Sequence, residues 1–127
     1  MKISVITSTK NASSIISDLV DSIDQQTYDQ IEWLVSDGCS VDNTLEKAKS
    51  SKCLTYLQSS VDDGIYDAWN KVLDQASGDW IIFMGADDIF YSRDSIKSAV
   101  EHLKTVNPNV LIAHGKIFSR NSYYGSS

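Results

Sequence analysis

The sequence predicts an α/β fold with a mostly parallel sheet, and two observations carry that prediction. Segments typical of strands and of amphipathic helices alternate along the chain with short breaks between them, which is the pattern of successive βαβ units. Residues 80–84 are apolar at every position, so we expect a strand in the middle of the sheet that is covered on both faces. Asp87 and Asp88 follow this strand and should lie at the mouth formed by the carboxyl ends of the strands.

Each predicted element has its own local signal. Short runs of β-branched and apolar residues predict strands at residues 3–8, 31–35, 54–57, 80–84 and 110–113. Apolar residues at helical spacing predict four helices. The first is capped by Ser13 or Ser14 and runs past Ile23, and the second spans 42–49. The third runs from a start signal at 60–63 up to Gly78, and the fourth spans 95–106. The third helix presents one apolar face, formed by Ile65, Ala68, Trp69, Val72, Leu73 and Ala76. Trp69 and Trp80 are interpreted as core aromatics.

Composition limits the size and the partners of the protein. A chain of 127 residues, 42% of them hydrophobic, can bury one core and forms a single domain or part of one. The formal charge of −6 disfavours a nucleic-acid surface, which needs a basic stripe. Cys39 and Cys53 show no disulfide or metal-ligand spacing, so we expect a reducing, cytoplasmic setting. No apolar run reaches the roughly 18 residues that span a bilayer, although peripheral association with the inner face of a membrane stays open.

Polar residues cluster where strands end or helices begin. Residues 7–11 follow the first strand, and Asp37 follows the second, with Gly38 behind it to turn the chain and Asp42 placed to cap the next helix. Helical spacing brings together four polar residues of the third helix and its start, Asp63, Asp67, Asn70 and Lys71. A charged helix face exposed to solvent explains these four residues as well as a binding site does. Two adjacent carboxylates such as Asp87 and Asp88 need a metal ion, a basic group or sugar hydroxyls nearby, unless they form a solvated turn.

Four motifs in this order resemble the nucleotide-binding half of the family 2 glycosyltransferases, which have the GT-A fold. They stand at residues 3–7, 36–44, 63–71 and 78–88, and the resemblance extends over about residues 2–115. It implies a three-layer sandwich around the sheet, in a single domain at 1–127 that is truncated at its C-terminal side. Two departures from the family pattern are Gly85, where an aspartate is common, and Val72, where glycine is common.

Residue by residue, the resemblance implies a binding site for a nucleotide-diphospho-sugar. Its members are Thr7 and Thr9 at the nucleoside pocket, Asp37 on the base or ribose, Asp63, Asn70 and Lys71 beside the diphosphate, and Asp87 near the ribose or sugar. Asp88 would ligate Mg²⁺ or Mn²⁺. If Asp37 binds the nucleoside, its replacement by alanine should weaken binding by about 1 to 3 kcal/mol with little change in stability.

The resemblance implies transfer of a sugar from a uridine or guanosine diphosphate donor to a glycan or lipid-linked acceptor, in bacterial-type polysaccharide synthesis. The general base of the family is a carboxylate that we expect beyond residue 127, so this chain alone should be inactive. We also expect self-association through a sheet edge exposed at 110–113 and beyond Lys116.

Three alternatives belong to other classes. A non-catalytic nucleotide-binding scaffold would share the fold. A receiver-like signalling domain requires an acidic pair after the first strand. At residues 7–10 this chain has threonine, serine, threonine and lysine instead. A dinucleotide-binding module requires a Gly-x-Gly-x-x-Gly run, which is absent from the sequence.

Overall fold

The computed structural model describes residues 1–105, 116–118 and 123–125. The strands are β1 (Ile3–Thr9), β2 (Ile31–Asp37), β3 (Leu54–Ser59), β4 (Trp80–Gly85), β5 (Lys116–Phe118) and β6 (Tyr123–Gly125). The helices are α1 (Ile16–Asp24), α2 (Thr44–Lys49), α3 (Ile65–Leu73) and α4 (Ser95–Leu103). The first four strands and all four helices follow the predicted order, whereas the β5–β6 pair was not predicted. The strand predicted at 110–113 lies outside the described residues.

The main sheet has the strand order β3-β2-β1-β4, and all of its pairings are parallel. Side chains of α1, α2 and α4 share one apolar cluster on one face of the sheet, while α3 packs on the other face. The protein is therefore a three-layer α/β sandwich, as predicted. Because the chain extends the sheet from β1 first towards β3 and then towards β4, the strand order reverses beside β1. Open α/β sheets bind ligands at the carboxyl ends of the strands at such a point.

The larger of the two apolar clusters fixes the strands that carry the mouth. Trp33, Leu19 and Ile16 are fully buried in it, together with Ile96 from α4. The smaller cluster joins Ile6, Leu34 and Val72 beneath α3. Leu19 and Ile23 were expected in the core from their helical spacing, and both are buried.

The prediction that both faces of β4 are covered was wrong for the described part of the chain. There, β4 pairs with β1 alone and forms the edge of the sheet. Met84 is buried on the α1 side, but Ile81 and Phe83 are 37% and 45% exposed on the other face. The uniformly apolar sequence of β4 carries no information on which neighbours cover it, so it could not reveal this asymmetry. The exposed edge predicted at residues 110–113 lies outside the described residues, so this face of β4 is a separate feature.

Two helix boundaries also differ from the prediction. No side chain caps α1; instead Ile16 N donates to Ala12 O at 2.9 Å, so neither Ser13 nor Ser14 is the cap. Helix α3 ends at Leu73, before Gly78, and Ile65 on its predicted apolar face is 46% exposed. Trp69 is half-buried and packs on Phe83, with 4.4 Å between the ring centroids, which agrees with a role in packing.

A buried carboxylate network closes the amino-terminal end of the sheet. Glu32 is 4% exposed; its Oε2 atom accepts hydrogen bonds from Ser4 Oγ at 2.6 Å and Ser77 N at 2.7 Å, and its Oε1 atom lies 3.1 Å from Lys2 Nζ. Burial alone would raise the pKa of Glu32, but these donors outweigh it and hold the pKa at about 2. A Cβ atom on Gly78 would lie 2.5 Å from Ser4 Oγ, so the network leaves no room for a side chain there.

Within the described residues, no helix is both long and apolar enough to cross a membrane. Cys39 and Cys53 are free thiols.

Candidate functional site

The loops that follow β1 and β2 are joined to each other at the carboxyl end of the sheet. Gly38 N donates to Thr9 O at 2.9 Å, Asn11 N to Ser40 Oγ at 2.8 Å, and Val41 N to Asn11 Oδ1 at 2.9 Å. These bonds stabilise two non-glycine residues in the left-handed region, Asn11 with φ 47° and Cys39 with φ 59°. The two loops therefore form a rigid floor for the mouth.

Gly38 has a different role from the one predicted for it. The residue with positive φ in this turn is Cys39, so the turn itself does not require glycine at position 38. A Cβ atom on Gly38 would instead lie 2.8 Å from Asp62 Oδ2. The missing side chain thus leaves room for the Asp62 carboxylate above the end of β2.

Asp37 is fully buried at the end of β2, and both of its carboxylate oxygens are hydrogen-bonded. Oδ1 accepts from Thr9 Oγ1 and Ser40 Oγ, each at 2.6 Å, while Oδ2 accepts from Ser40 N at 2.8 Å and Ser59 Oγ at 2.9 Å. Burial raises the pKa of Asp37, but the donors from Ser40, Thr9 and Ser59 outweigh it, so the pKa lies below its usual value. The carboxylate is ionised at neutral pH and joins three segments of the chain.

These four bonds correct one expectation. A buried carboxylate with four donors contributes to folding, because its removal leaves those donors unpaired. Replacement of Asp37 should therefore lower stability as well as any affinity for a ligand.

Asp42 was expected to cap α2, but the helix begins at Thr44 and its N-cap residue is Asn43. The Asp42 Oδ1 atom accepts from Thr44 N at 3.0 Å and from the Thr44 hydroxyl, and the Asp42 Oδ2 atom accepts from Ser13 N at 3.1 Å. These hydrogen bonds, first of all the one from the Thr44 hydroxyl, lower the pKa of Asp42 to about 2. Asp42 thus binds Thr44, the first residue of α2, and holds the first loop through Ser13.

Asp87 and Asp88 lie in a tight turn at the end of β4. Asp88 N donates to Gly85 O at 3.1 Å, and Gly85 N donates to Asp88 Oδ2 at 2.8 Å. A Cβ atom on Gly85 would lie 3.0 Å from Asp87 Oδ1 and 3.4 Å from Asp88 Oδ2. The two carboxylates therefore converge on one side of Gly85, and a side chain at this position would crowd them.

This pair fits a hard divalent cation as a partial ligand set. Mg²⁺ is commonly bound by one or two carboxylates together with phosphate oxygens and water. No group of three or more His, Cys, Asp or Glu side chains able to hold a metal occurs within the described residues. A metal at Asp87 and Asp88 would need further ligands, and phosphate oxygens and water commonly fill this role.

The polar face at the start of α3 is assembled in part. Asp63 N donates to Asp67 Oδ2 at 2.9 Å, and Lys71 Nζ lies 3.3 Å from the same oxygen. Lys71 also donates to Ser60 Oγ at 3.2 Å and to the carbonyl of Val61. These contacts, first of all the bond from Asp63 N, lower the pKa of Asp67.

Two predicted site residues stand apart from these contacts. Asn70 is exposed on α3. Thr7 is fully buried, and its hydroxyl accepts from Trp33 Nε1 at 3.0 Å in the core. The side chain of Thr7 therefore does not line the mouth, in contrast to the expectation, because Trp33 covers it; Thr9 does reach the mouth at the end of the same strand.

Two residues of the mouth were missed by the sequence reasoning, Ser59 and Asp62. Ser59 binds Asp37 because β2 and β3 pair in a register that sets these two residues side by side. No local sequence signal reports such a register. Asp62 could have been predicted as a site residue, since it precedes Asp63 in the helix-start signal at 60–63.

A parallel α/β sheet with interlocked loops and acidic side chains at one mouth defines the class of open α/β proteins, which bind their ligands outside the carboxyl ends of the strands. The profile described as "Glycosyl transferase family 2" matches residues 4–125. The chain therefore belongs to this glycosyltransferase family, and its fold is that of the GT-A glycosyltransferases.

Known relatives support the same assignment. The chain is 30% identical over 125 residues to a PGL/p-HBAD biosynthesis glycosyltransferase from Mycobacterium bovis, covering 95% of this chain and 48% of the relative. It thus spans about half the length of that relative. The structure of S. aureus TarS in complex with UDP-GlcNAc matches with a TM-score of 0.74 and 26% identity, over 90% of this chain and 38% of that one.

A third similar protein is the mannosyltransferase PcManGT from Pyrobaculum calidifontis, solved in complex with GDP-Man and Mn²⁺. It matches with a TM-score of 0.75 and 27% identity, over 91% of this chain and 34% of that one.

Proposed function

We propose that this chain binds the nucleotide-diphospho-sugar donor of a metal-dependent glycosyltransferase. One observation carries the proposal: Asp87 and Asp88 converge at the same end of the sheet at which Asp37 and Thr9 form a buried polar cluster. The similar proteins solved with UDP-GlcNAc and with GDP-Man and Mn²⁺ support it. The donor would be a uridine or guanosine diphosphate sugar.

In this proposal, Asp88 ligates Mg²⁺ or Mn²⁺ and Asp87 lies beside the ribose or the sugar. The metal would neutralise the negative charge that develops on the diphosphate when the bond to the anomeric carbon breaks. The Asp87–Asp88 turn contributes rigidity, since its hydrogen bonds to Gly85 fix the Asp88 carboxylate before any ligand arrives.

In this proposal, Asp37 interacts with the nucleoside of the donor. Its carboxylate is ionised, and Thr9 and Ser40 hold it in one orientation. A ring N–H or a ribose hydroxyl of the donor would be attracted to this fixed negative charge and would replace one of the hydroxyl donors on Asp37. Asp63, Asn70 and Lys71 would lie on the diphosphate side of the mouth.

The acceptor, a glycan or a lipid-linked saccharide, would bind outside the donor site described above. The general base would also lie outside that site. We accordingly propose that residues 1–127 act as one domain with its nucleotide-binding half at about 1–115, and that this chain alone does not transfer sugar. Sugar transfer by the purified 127-residue chain, abolished by Asp88→Ala, would contradict this proposal. We further propose that the protein works in the cytoplasm or at the inner face of the membrane, in polysaccharide synthesis.

A non-catalytic nucleotide-binding scaffold is the second candidate, because the same fold can bind a nucleotide without catalysing transfer. The two candidates differ in whether metal strengthens binding of the diphosphate.

Calorimetry with UDP and GDP, with and without Mn²⁺, tests the proposal. We expect one of the two nucleotides to bind about tenfold or more tightly with Mn²⁺, and Asp88→Asn to remove this gain, because the metal then loses a charged ligand. Asp29→Asn is the matched control, since Asp29 is exposed and precedes β2, at the end of the sheet opposite the mouth. Equal affinity with and without Mn²⁺ would refute the metal site, and no binding of either nucleotide by folded protein would refute the donor site.

A further inference from the structure

Residues 60–64 form the loop between β3 and α3, and side chains of α3 hold this loop in place. Its first residue is fixed to the sheet, since Ser60 N donates to Asp37 O at 2.9 Å. Gln58 also binds Ser60, and Asp62 Oδ1 accepts from Gly64 N at 3.2 Å within the loop. From α3, two side chains one helical turn apart contact the loop, Asp67 and Lys71. The loop carries Asp62 over Gly38, so its position decides what lies above the end of β2.

The contacts of Lys71 are directed at the loop. Its ammonium group donates to Ser60 Oγ and to Val61 O and forms an ion pair with Asp67. An ammonium group has three donor hydrogens, and these three contacts use all of them. A phosphate could therefore bind Lys71 only by displacing one of these contacts.

Asp67 completes the arrangement from the other side. One oxygen, Oδ2, accepts from the backbone N–H of Asp63 and also faces Lys71 Nζ. This oxygen thus fixes the end of the loop and orients the lysine at the same time. Gly64, the last residue of the loop, has φ 121°, a value that other residues rarely adopt, so the turn into α3 requires glycine at this position.

We propose that Asp67 and Lys71 form a clamp that positions the loop of residues 60–64 at the donor site, and that both act as positioning residues without touching the ligand. The inference rests on the proposed donor binding, and it assigns Asp67 a role in that binding. It also changes the expected role of Lys71, from a direct contact with the diphosphate to support of the loop that carries Asp62 and Asp63.

Two measurements on the 127-residue protein test the clamp. The first is hydrogen–deuterium exchange of peptides that cover residues 58–66. We expect Asp67→Ala and Lys71→Met to speed exchange there about two- to five-fold, the factor that corresponds to an exposed ion pair. Lys71→Arg keeps the charge and should stay close to the wild type. Asp74→Asn is the matched control, because Asp74 is an exposed carboxylate at the end of the same helix.

The second measurement is binding of the nucleoside and of its diphosphate, with uridine and UDP or guanosine and GDP as the pair. A clamp predicts that Lys71→Met and Asp67→Ala weaken both ligands by the same factor, about two- to five-fold. A direct phosphate contact predicts instead that Lys71→Met weakens the diphosphate alone.

The outcomes separate this inference from the proposed function. Unchanged exchange in both variants, or a tenfold selective loss of diphosphate affinity in Lys71→Met, would overturn the clamp. If the wild type binds neither UDP nor GDP, the donor site fails, while the exchange data still show whether the clamp exists.

Discussion

The two ends of β2 each hold a buried carboxylate, but the two carboxylates are neutralised in different ways. Glu32 at the amino-terminal end has the Lys2 ammonium at 3.1 Å as well as serine donors. Asp37 at the carboxyl end has only hydroxyl groups and one backbone N–H around it, and no basic side chain among the described residues forms an ion pair with it.

This difference indicates a structural role for Glu32 and a role at the ligand mouth for Asp37. The charge of Glu32 is balanced locally, so that end of the sheet exerts little field on a ligand. The charge of Asp37 is stabilised by dipoles alone and adds to those of Asp87 and Asp88 at the same mouth. Such a mouth attracts divalent cations and hydrogen-bond donors. A burial pattern alone would place Glu32 and Asp37 in the same category; their partners distinguish them.

The largest expected effect is on stability at the amino-terminal end. Glu32→Gln removes the charge that Lys2 and three serine donors stabilise, and the shift of the pKa from 4.5 to about 2 corresponds to about 3 kcal/mol at neutral pH. Urea unfolding at pH 7 should show a loss of this order, with nucleotide affinity of the folded protein unchanged. Glu101→Gln, an exposed glutamate on α4, is the control.

The pH dependence of that difference has a defined sign. Because the folded-state pKa of Glu32 is depressed, its contribution is complete above about pH 4.5 and is lost as the pH falls towards about 2. The stability gap between the wild type and Glu32→Gln should shrink over this window. A gap that stays constant from pH 7 to pH 3 would show that the loss comes from packing and not from the charge.

An intermediate effect is expected at Asp37, and here two properties should change together. Asp37→Ala leaves four donors without an acceptor and should lower stability by about 1 to 3 kcal/mol. It should also weaken nucleotide binding to the folded protein, which Glu32→Gln should not do. Urea unfolding and calorimetry on the same samples check this. If Asp37→Ala alters stability alone, the contrast between the two ends of β2 disappears.

The smallest effect is expected at Gly38. Its φ value does not require glycine. An added Cβ would crowd only the flexible end of Asp62, at 2.8 Å, and would lie at an ordinary contact distance of 3.6 Å from Lys10 Cδ, so Gly38→Ala should change stability by no more than about 0.5 kcal/mol. It should nevertheless move Asp62 and weaken nucleotide binding slightly. In a double-mutant cycle, the effect on binding should vanish in an Asp62→Ala background. An effect that persists there would point to the backbone of the mouth instead.

Much of the fold follows from local signals in the sequence. Alternating strand and helix patterns correctly predicted the first four strands and all four helices, because periodicity reports which face of an element is apolar. The same reasoning brought Asp37, Asp87 and Asp88 to one end of the sheet, since parallel strands end at the same edge. Local sequence also indicated that Asp42 lies at the start of α2, where its carboxylate binds a residue two positions ahead, although the N-cap is Asn43.

What the sequence determined by itself is the order of the elements, their parallel arrangement and the edge at which the acidic residues gather. The tertiary structure alone decided that Thr7 turns into the core under Trp33, that β4 lies at an edge in the described sheet, and that Ser59 and Asp62 join the mouth. These facts depend on strand register and on contacts between segments more than 20 residues apart, such as the 22 residues from Asp37 to Ser59. Periodicity describes one element at a time, whereas a buried polar group finds its partners only when separate elements pack together.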